Sequence, residues 1–182
     1  LPWDMGDERL DAVVQYIKTF APDKWVGGEK AVGVPVVLKD DPYSAQVEMA
    51  IEKGKEVYHM AANCQTCHRS YLSDSEFSSL NLKVNGEAVT DFEENRFAVK
   101  PQESEYGVKM LPPDFTWHPV RSAKTVKELA IRIAAGINGV GMPAWKDVLD
   151  DEDVWAVAYY VHSLMELKGN SKRGEFIKKI EE

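Results

Sequence analysis

The sequence predicts an all-α protein: a helical domain with an inserted β-hairpin, preceded by an extra N-terminal helix. Three observations carry this. Apolar residues recur at helical spacing in several separate segments. Helix-opening residues stand at the right places, as in Thr125-Val126-Lys127-Glu128, a capping box. One stretch instead alternates: Leu80, Leu82 and Val84 precede Asn85-Gly86, a two-residue turn signal, and Val89 follows. The chain has 182 residues, of which 44% are hydrophobic and 29% charged, enough apolar material for a core. No run approaches the ~20 apolar residues of a membrane span. A formal charge of −8 argues against nucleic-acid binding and steers the chain toward basic patches on partner proteins.

Residues 7–20 read as an amphipathic helix with Leu10, Val13, Val14 and Ile17 on one face. Residues 26–43 carry Gly27, Gly28, Gly33, Pro35 and Pro42, the composition of an extended linker or wrap. Ser44 to Ala62 reads as a helix with Val47, Ile51 and Tyr58 on one side. Gly54 lies inside it at a cost of ~1 kcal/mol relative to Ala, so it calls for a reason. The capping box at Thr125 opens a helix to Ala135, which Gly136 and Gly139 end. Asp150 or Asp151 caps a last helix whose apolar face is Val154, Val157, Ala158, Val161 and Leu164. Residues 169–182 read as a charged, solvated tail.

The two cysteines fall in Cys64-Gln65-Thr66-Cys67-His68. A bare C-x-x-C has three readings: a redox dithiol, half a zinc site or, with the histidine, a covalent haem site. The dithiol reading wants a βαβ context, and the preceding segment is helical. A structural zinc site lacks its second cysteine pair. The haem reading uses all three residues: Cys64 and Cys67 bond the porphyrin, and His68 supplies an imidazole nitrogen to iron. Gly141-Met142-Pro143-Ala144-Trp145 offers a sixth ligand in Met142, a soft and neutral thioether. The plain alternative for a lone methionine is core filling. Gly141 and Pro143 beside it favour a tight loop that aims it inward.

Gly54-x-x-x-Tyr58, Cys64-Gln65-Thr66-Cys67-His68, Leu111-Pro112-Pro113-Asp114-Phe115, Gly141-Met142-Pro143-Ala144-Trp145 and a closing aromatic helix come in an order that resembles a class I c-type cytochrome. The resemblance covers residues 44–168. It implies one covalent haem c, axial ligands His68 and Met142, and one-electron transfer to redox partner proteins. It implies that Pro113 accepts a hydrogen bond from the other ring nitrogen of His68, and that Gly54 lets the first helix cross the last. Trp117 and Arg121, just after the proline segment, are candidate haem contacts, Arg121 as a cation for a propionate. The segment between His68 and the proline pair is long for the family, and the hairpin expected there either covers a haem edge or decorates the surface. Covalent attachment implies a periplasmic or other extracytoplasmic location.

Leu1-Pro2-Trp3, Asp7-Glu8-Arg9 and Val13-Val14-Gln15-Tyr16-Ile17 echo Met142 to Val161, so residues 1–25 read as the tail of a preceding cytochrome domain. Such a helix would associate with another cytochrome domain or with a second copy of the chain. His59, His118, His162 and Met110 are the other groups able to bind iron, and the plainer reading of each is packing or exposure. No carboxylate pair, phosphate loop or Ser/His/Asp order argues for an enzyme active site. The competing class is a haem enzyme subunit or gas-binding protein with an open sixth site.

Overall fold

The computed structural model describes residues 6–20, 22, 36–104, 106–121 and 123–181. The chain divides into two compact units, Leu1–Pro35 and Val36–Glu182. In the first, helix α1 spans Asp7–Lys18, with Asp7 and Glu8 in its first turn and Lys18 in its last, signs that suit the helix dipole. Leu10, Val13, Val14 and Ile17 fall on it and are 39–55% exposed. Leu1-Pro2-Trp3 and residues 26–35 of the expected linker lie outside the described residues.

The second unit is helical among the described residues, apart from one two-stranded hairpin. Helix α2 spans Val47–Glu56 and continues as a π-helical turn, Val57–Ala61. Helix α3 is Asp74–Asn85, α4 is Val126–Ala135, α5 is Asp151–Met165 and α6 is Lys172–Glu181. Strands β1 (Gln102–Glu103) and β2 (Lys109–Met110) pair antiparallel, with Gln102 opposite Met110. The expected caps hold. Thr125 and Glu128 form a reciprocal capping box on α4, and the Asp150 carboxylate accepts from the Asp153 N–H at 2.8 Å to open α5.

Helix α5 is the centre of the core. Val154, Val157, Ala158, Val161 and Leu164 are each 4% exposed or less, as the helical spacing requires. Helix α2 crosses it at Gly54. A Cβ there would collide with the Ala156 carbonyl and lie 2.8 Å from Tyr160 Cβ, so only glycine permits the crossing. The π turn then buries three successive residues, Val57, Tyr58 and His59, each 1% exposed or less.

Two expectations need correction. Residues 80–89 are not a hairpin: α3 runs through Leu80, Leu82 and Val84. The Ser73 hydroxyl and Glu76 carboxylate form a capping box at its start, and Gly86 at φ 80° closes it as a left-handed cap. Asn85-Gly86 is therefore a helix end, and the hairpin of this region is β1–β2. Residues 169–182 are not a solvated tail: α6 buries Ile180 to 1% exposure. Of the two readings, linker or wrap, residues 36–43 follow the second. The Lys39 N–H donates to Asp151, Trp155 Nε1–H donates to the Lys39 carbonyl at 3.0 Å, and the Tyr159 hydroxyl donates to Asp41 at 2.7 Å. The unit thus runs past both ends of 44–168.

Gly54→Ala tests the crossing. Overpacking costs ~1–3 kcal/mol, more where backbone is struck, against ~1 kcal/mol gained from helix propensity. A net loss of about 2 kcal/mol is expected in denaturant unfolding. A variant as stable as the parent would mean that the two helices do not touch there.

Candidate functional site

Two residues beyond the π turn stands Asn63, the one non-glycine residue with positive φ among the described residues, at 48°. This left-handed residue reverses the chain into a 3-10 turn, Cys64–Thr66. The His68 N–H donates to the Cys64 carbonyl at 3.0 Å, and the Lys100 N–H donates to the Cys67 carbonyl at 2.9 Å. Cys64 packs on the hydrophobic core, and burial pushes its thiol up to about 12. The two cysteines are not joined to each other by a disulfide.

His68 Nδ1 lies 3.0 Å from the Pro113 carbonyl, which can only accept, so the ring carries its proton on Nδ1. The imidazole stacks on Phe115 with centroids 4.5 Å apart and planes 25° from parallel. Burial lowers its proton affinity, and the Pro113 hydrogen bond opposes that in part. The outcome is a neutral, oriented ring whose Nε2 keeps its lone pair. A carbonyl on the far nitrogen is what fixes orientation and raises basicity in metal-bound histidines.

Asp114 sets Pro113 in place. Its carboxylate accepts from the Thr116 N–H at 2.9 Å, the Thr116 hydroxyl at 2.8 Å, the Tyr71 hydroxyl at 3.1 Å and Arg69 Nη1 at 3.2 Å. Arg69 follows His68 directly and is 7% exposed. It also donates to Glu181 at 2.7 Å, while Arg173 donates to the Thr116 carbonyl at 3.0 Å, so α6 closes the network. Burial pushes the Asp114 carboxyl up, but the Thr116 hydrogen bonds and the Arg69 charge outweigh it and hold it below its ordinary range. Tyr58 completes the support by donating to the Arg69 carbonyl at 3.1 Å.

Met142 sits on the loop between α4 and α5, half-buried, against the same core as Cys64. The Ile137 N–H donates to the Met142 carbonyl at 3.0 Å and closes the loop. Gly136, at φ 67°, makes room for it: a Cβ would lie 2.6 Å from Ala144 N and 2.8 Å from the Met142 carbonyl oxygen. Trp117 is 60% exposed, with the Arg173 guanidinium 4.8 Å from its ring centroid. Arg121 is exposed. His118 Nδ1 accepts from the Asp114 N–H at 3.0 Å and so caps a turn. His59 is fully buried; it donates from Nδ1 to the Lys55 carbonyl and accepts at Nε2 from the Tyr71 N–H. Burial lowers its pKa to about 4 despite the Lys55 bond, so it is a neutral core residue.

Sequence reasoning gave no role to Asp114, Phe115, Arg69, Tyr71 or Arg173. A local sign existed for the first: Asp followed two residues later by Thr is a turn whose carboxylate bonds the backbone. Among the described residues, no three His, Cys, Asp or Glu side chains converge as a bare metal ion would need. Two cysteine sulfurs and an imidazole with an available Nε2 in one short turn, and a thioether packed on the same core as Cys64, instead fit an iron porphyrin.

Asp114→Asn should cost ~3 kcal/mol, because Arg69 is left as a buried cation with a weaker partner. The stabilisation from ionised Asp114 is complete above the ordinary carboxylate value of 3.8 and is lost as pH falls through the lower folded value. The variant's stability should therefore fall less steeply on the acid side. Equal stability of variant and parent at pH 7, with parallel acid limbs, would contradict the network's role.

No curated protein matches the chain. Among solved structures, a reducing HAO-like protein complex of Kuenenia stuttgartiensis has a chain 24% identical, at a TM-score of 0.58. The match covers 90% of this chain and 64% of that one, so this chain spans less than two thirds of its neighbour's length. At that identity the likeness concerns the fold. The profile of the family described as cytochrome C oxidase, cbb3-type, subunit III matches residues 49–161, which include the cysteine pair, His68, Pro113 and Met142. With more than half of its length matched, the chain belongs to that family of c-type cytochromes, whose common property is electron transfer by a covalently bound haem c.

Proposed function

We propose that this chain is a one-electron carrier holding a single haem c, with His68 and Met142 as axial ligands and Cys64 and Cys67 as the thioether attachments. The observation that carries the reading is the His68–Pro113 hydrogen bond, 3.0 Å long, made by the residues directly before Arg69 and Asp114, which form a buried ion pair. It fixes the tautomer with Nε2 free, beside the two thiols. When bound, the haem iron supplies a reversible one-electron couple.

The chain's own residues orient and insulate. Phe115 holds the imidazole plane, and Pro113 holds its proton on Nδ1. Tyr58, Tyr71 and Phe115 form an apolar wall behind the motif, each 7% exposed or less. A thioether from Met142 adds no charge and favours the reduced state. Trp117 and Arg121 lie after Pro113, where contacts to propionates are expected, and their exposure is compatible with a haem edge open to partners. The formal charge of −8 favours redox partners with a basic surface, and the attachment chemistry favours the periplasm. The exposed apolar residues of α1 support its reading as a helix that docks on another cytochrome domain or a second copy.

Two measurements test this. The denatured protein should weigh one haem more than the chain and keep its colour through acid-acetone extraction; haem lost to the solvent would end the reading. Met142→Ala should lower the reduction potential by a sizeable part of the roughly 0.8 V that axial ligands span, and should admit carbon monoxide. An unchanged spectrum and potential in that variant would move the assignment to an open sixth site and a haem enzyme or gas-binding protein.

A further inference from the structure

Hairpin β1–β2 touches the chain at both candidate ligand regions. Just before β1, the Lys100 N–H bonds the Cys67 carbonyl at 2.9 Å, and just after β2 the chain becomes Pro112-Pro113, which holds His68. Between them the hairpin lies on the Met142 loop. A Cβ at Gly141 would lie 3.2 Å from the Glu103 carbonyl oxygen and 3.8 Å from Gln102 Cβ. A Cβ at Gly139 would lie 2.9 Å from Tyr106 Cε2, with Cδ2 and Cζ of the same ring at 3.7 and 3.8 Å. The loop therefore meets the hairpin through two glycines, both with positive φ.

Hydrogen bonds hold the described residues of the hairpin turn. Ser104 is 7% exposed, and its hydroxyl accepts from the N–H groups of Tyr106 and Val108 at 3.3 and 3.1 Å. Its own N–H donates to the Val108 carbonyl at 2.9 Å. The turn thus presents one aromatic edge to a glycine of the Met142 loop. Tyr106 is 81% exposed, so this edge contact is not part of the core.

We propose that the β1–β2 hairpin braces the Met142 loop, with Tyr106 as the positioning residue that keeps the thioether in place. The inference rests on Met142 being an iron ligand. It assigns this insertion a role in setting how often the sixth site opens. Because the contact is made by ring carbons, phenylalanine should serve as well as tyrosine.

The test compares parent, Tyr106→Ala and Tyr106→Phe as haem-loaded proteins. The readouts are the thioether-to-ferric-iron charge-transfer band, the rate of carbon monoxide binding to the reduced protein, hydrogen exchange over residues 136–145, and the thermal midpoint. A parent without the band refutes Met142 ligation, and with it the premise. With the band present, Tyr106→Ala should weaken it, speed exchange in the loop and raise the carbon monoxide rate roughly fivefold to tenfold, in proportion to the opened fraction. Tyr106→Phe should match the parent, and all three should keep the same midpoint and haem content. A rate for Tyr106→Ala within twofold of the parent overturns the brace. So does a Tyr106→Phe variant as impaired as Tyr106→Ala, or a general loss of stability in either.

Discussion

The buried pairing of the Asp114 carboxylate with the Arg69 guanidinium is the constraint on which the rest of the site depends. Arg69 follows His68, and Asp114 follows Pro113, so one ion pair brings together two segments that are 45 residues apart. Once they are in register, the His68–Pro113 hydrogen bond forms between the neighbouring residues. A buried pair of this kind is tolerated only when its remaining hydrogen-bonding capacity is met. Thr116 and Tyr71 meet it for Asp114, and Glu181 takes the other arm of Arg69. The match is incomplete, since Arg69 Nε has no partner. Helix α6 is bound into the arrangement through Arg173 and Glu181, beside its buried Ile180.

The two sides of the candidate haem site are built differently. The His68 side is held by a buried ion pair, a stacked aromatic ring and a carbonyl acceptor, all on or beside α2 and the proline segment. The Met142 side is a loop held by backbone hydrogen bonds, from the Ile137 N–H to Met142 and from Trp145 and Lys146 back to the end of α4, and shaped by glycines at positive φ. Local opening concentrates where buried contacts are few. In the proposed reading, the histidine is the fixed ligand, and the methionine is the one whose residence depends on neighbouring structure.

Much of this was legible in the sequence because it depends on local spacing. The C-x-x-C-H run, the period of α5, the capping box at Thr125 and the glycine at 54 each state a local rule that tertiary packing did not override. The misread parts show where local rules compete. Leu80, Leu82 and Val84 alternate, but they sit between a Ser73–Glu76 capping box and Gly86, and those caps decide for helix. Asn85-Gly86 serves equally as a hairpin turn or a helix end, since both need a residue at positive φ. The α6 segment looked solvated because its anchors are mostly polar; their buried partners, Asp114 and Arg69, lie far away in sequence. Asp114 itself was in plain view inside a quoted motif, but its role depends on a partner that spacing alone cannot identify.

The most direct test of the account is the proton spectrum of the reduced, haem-loaded protein carrying 13C-methyl-labelled methionine. The chain has six methionines. A thioether bound to haem iron places its methyl over the porphyrin, whose ring current moves that resonance far upfield of the others. The account predicts one such methyl, absent from the spectrum of Met142→Leu. Six methyls at ordinary positions, or an upfield methyl that survives in Met142→Leu, would contradict it.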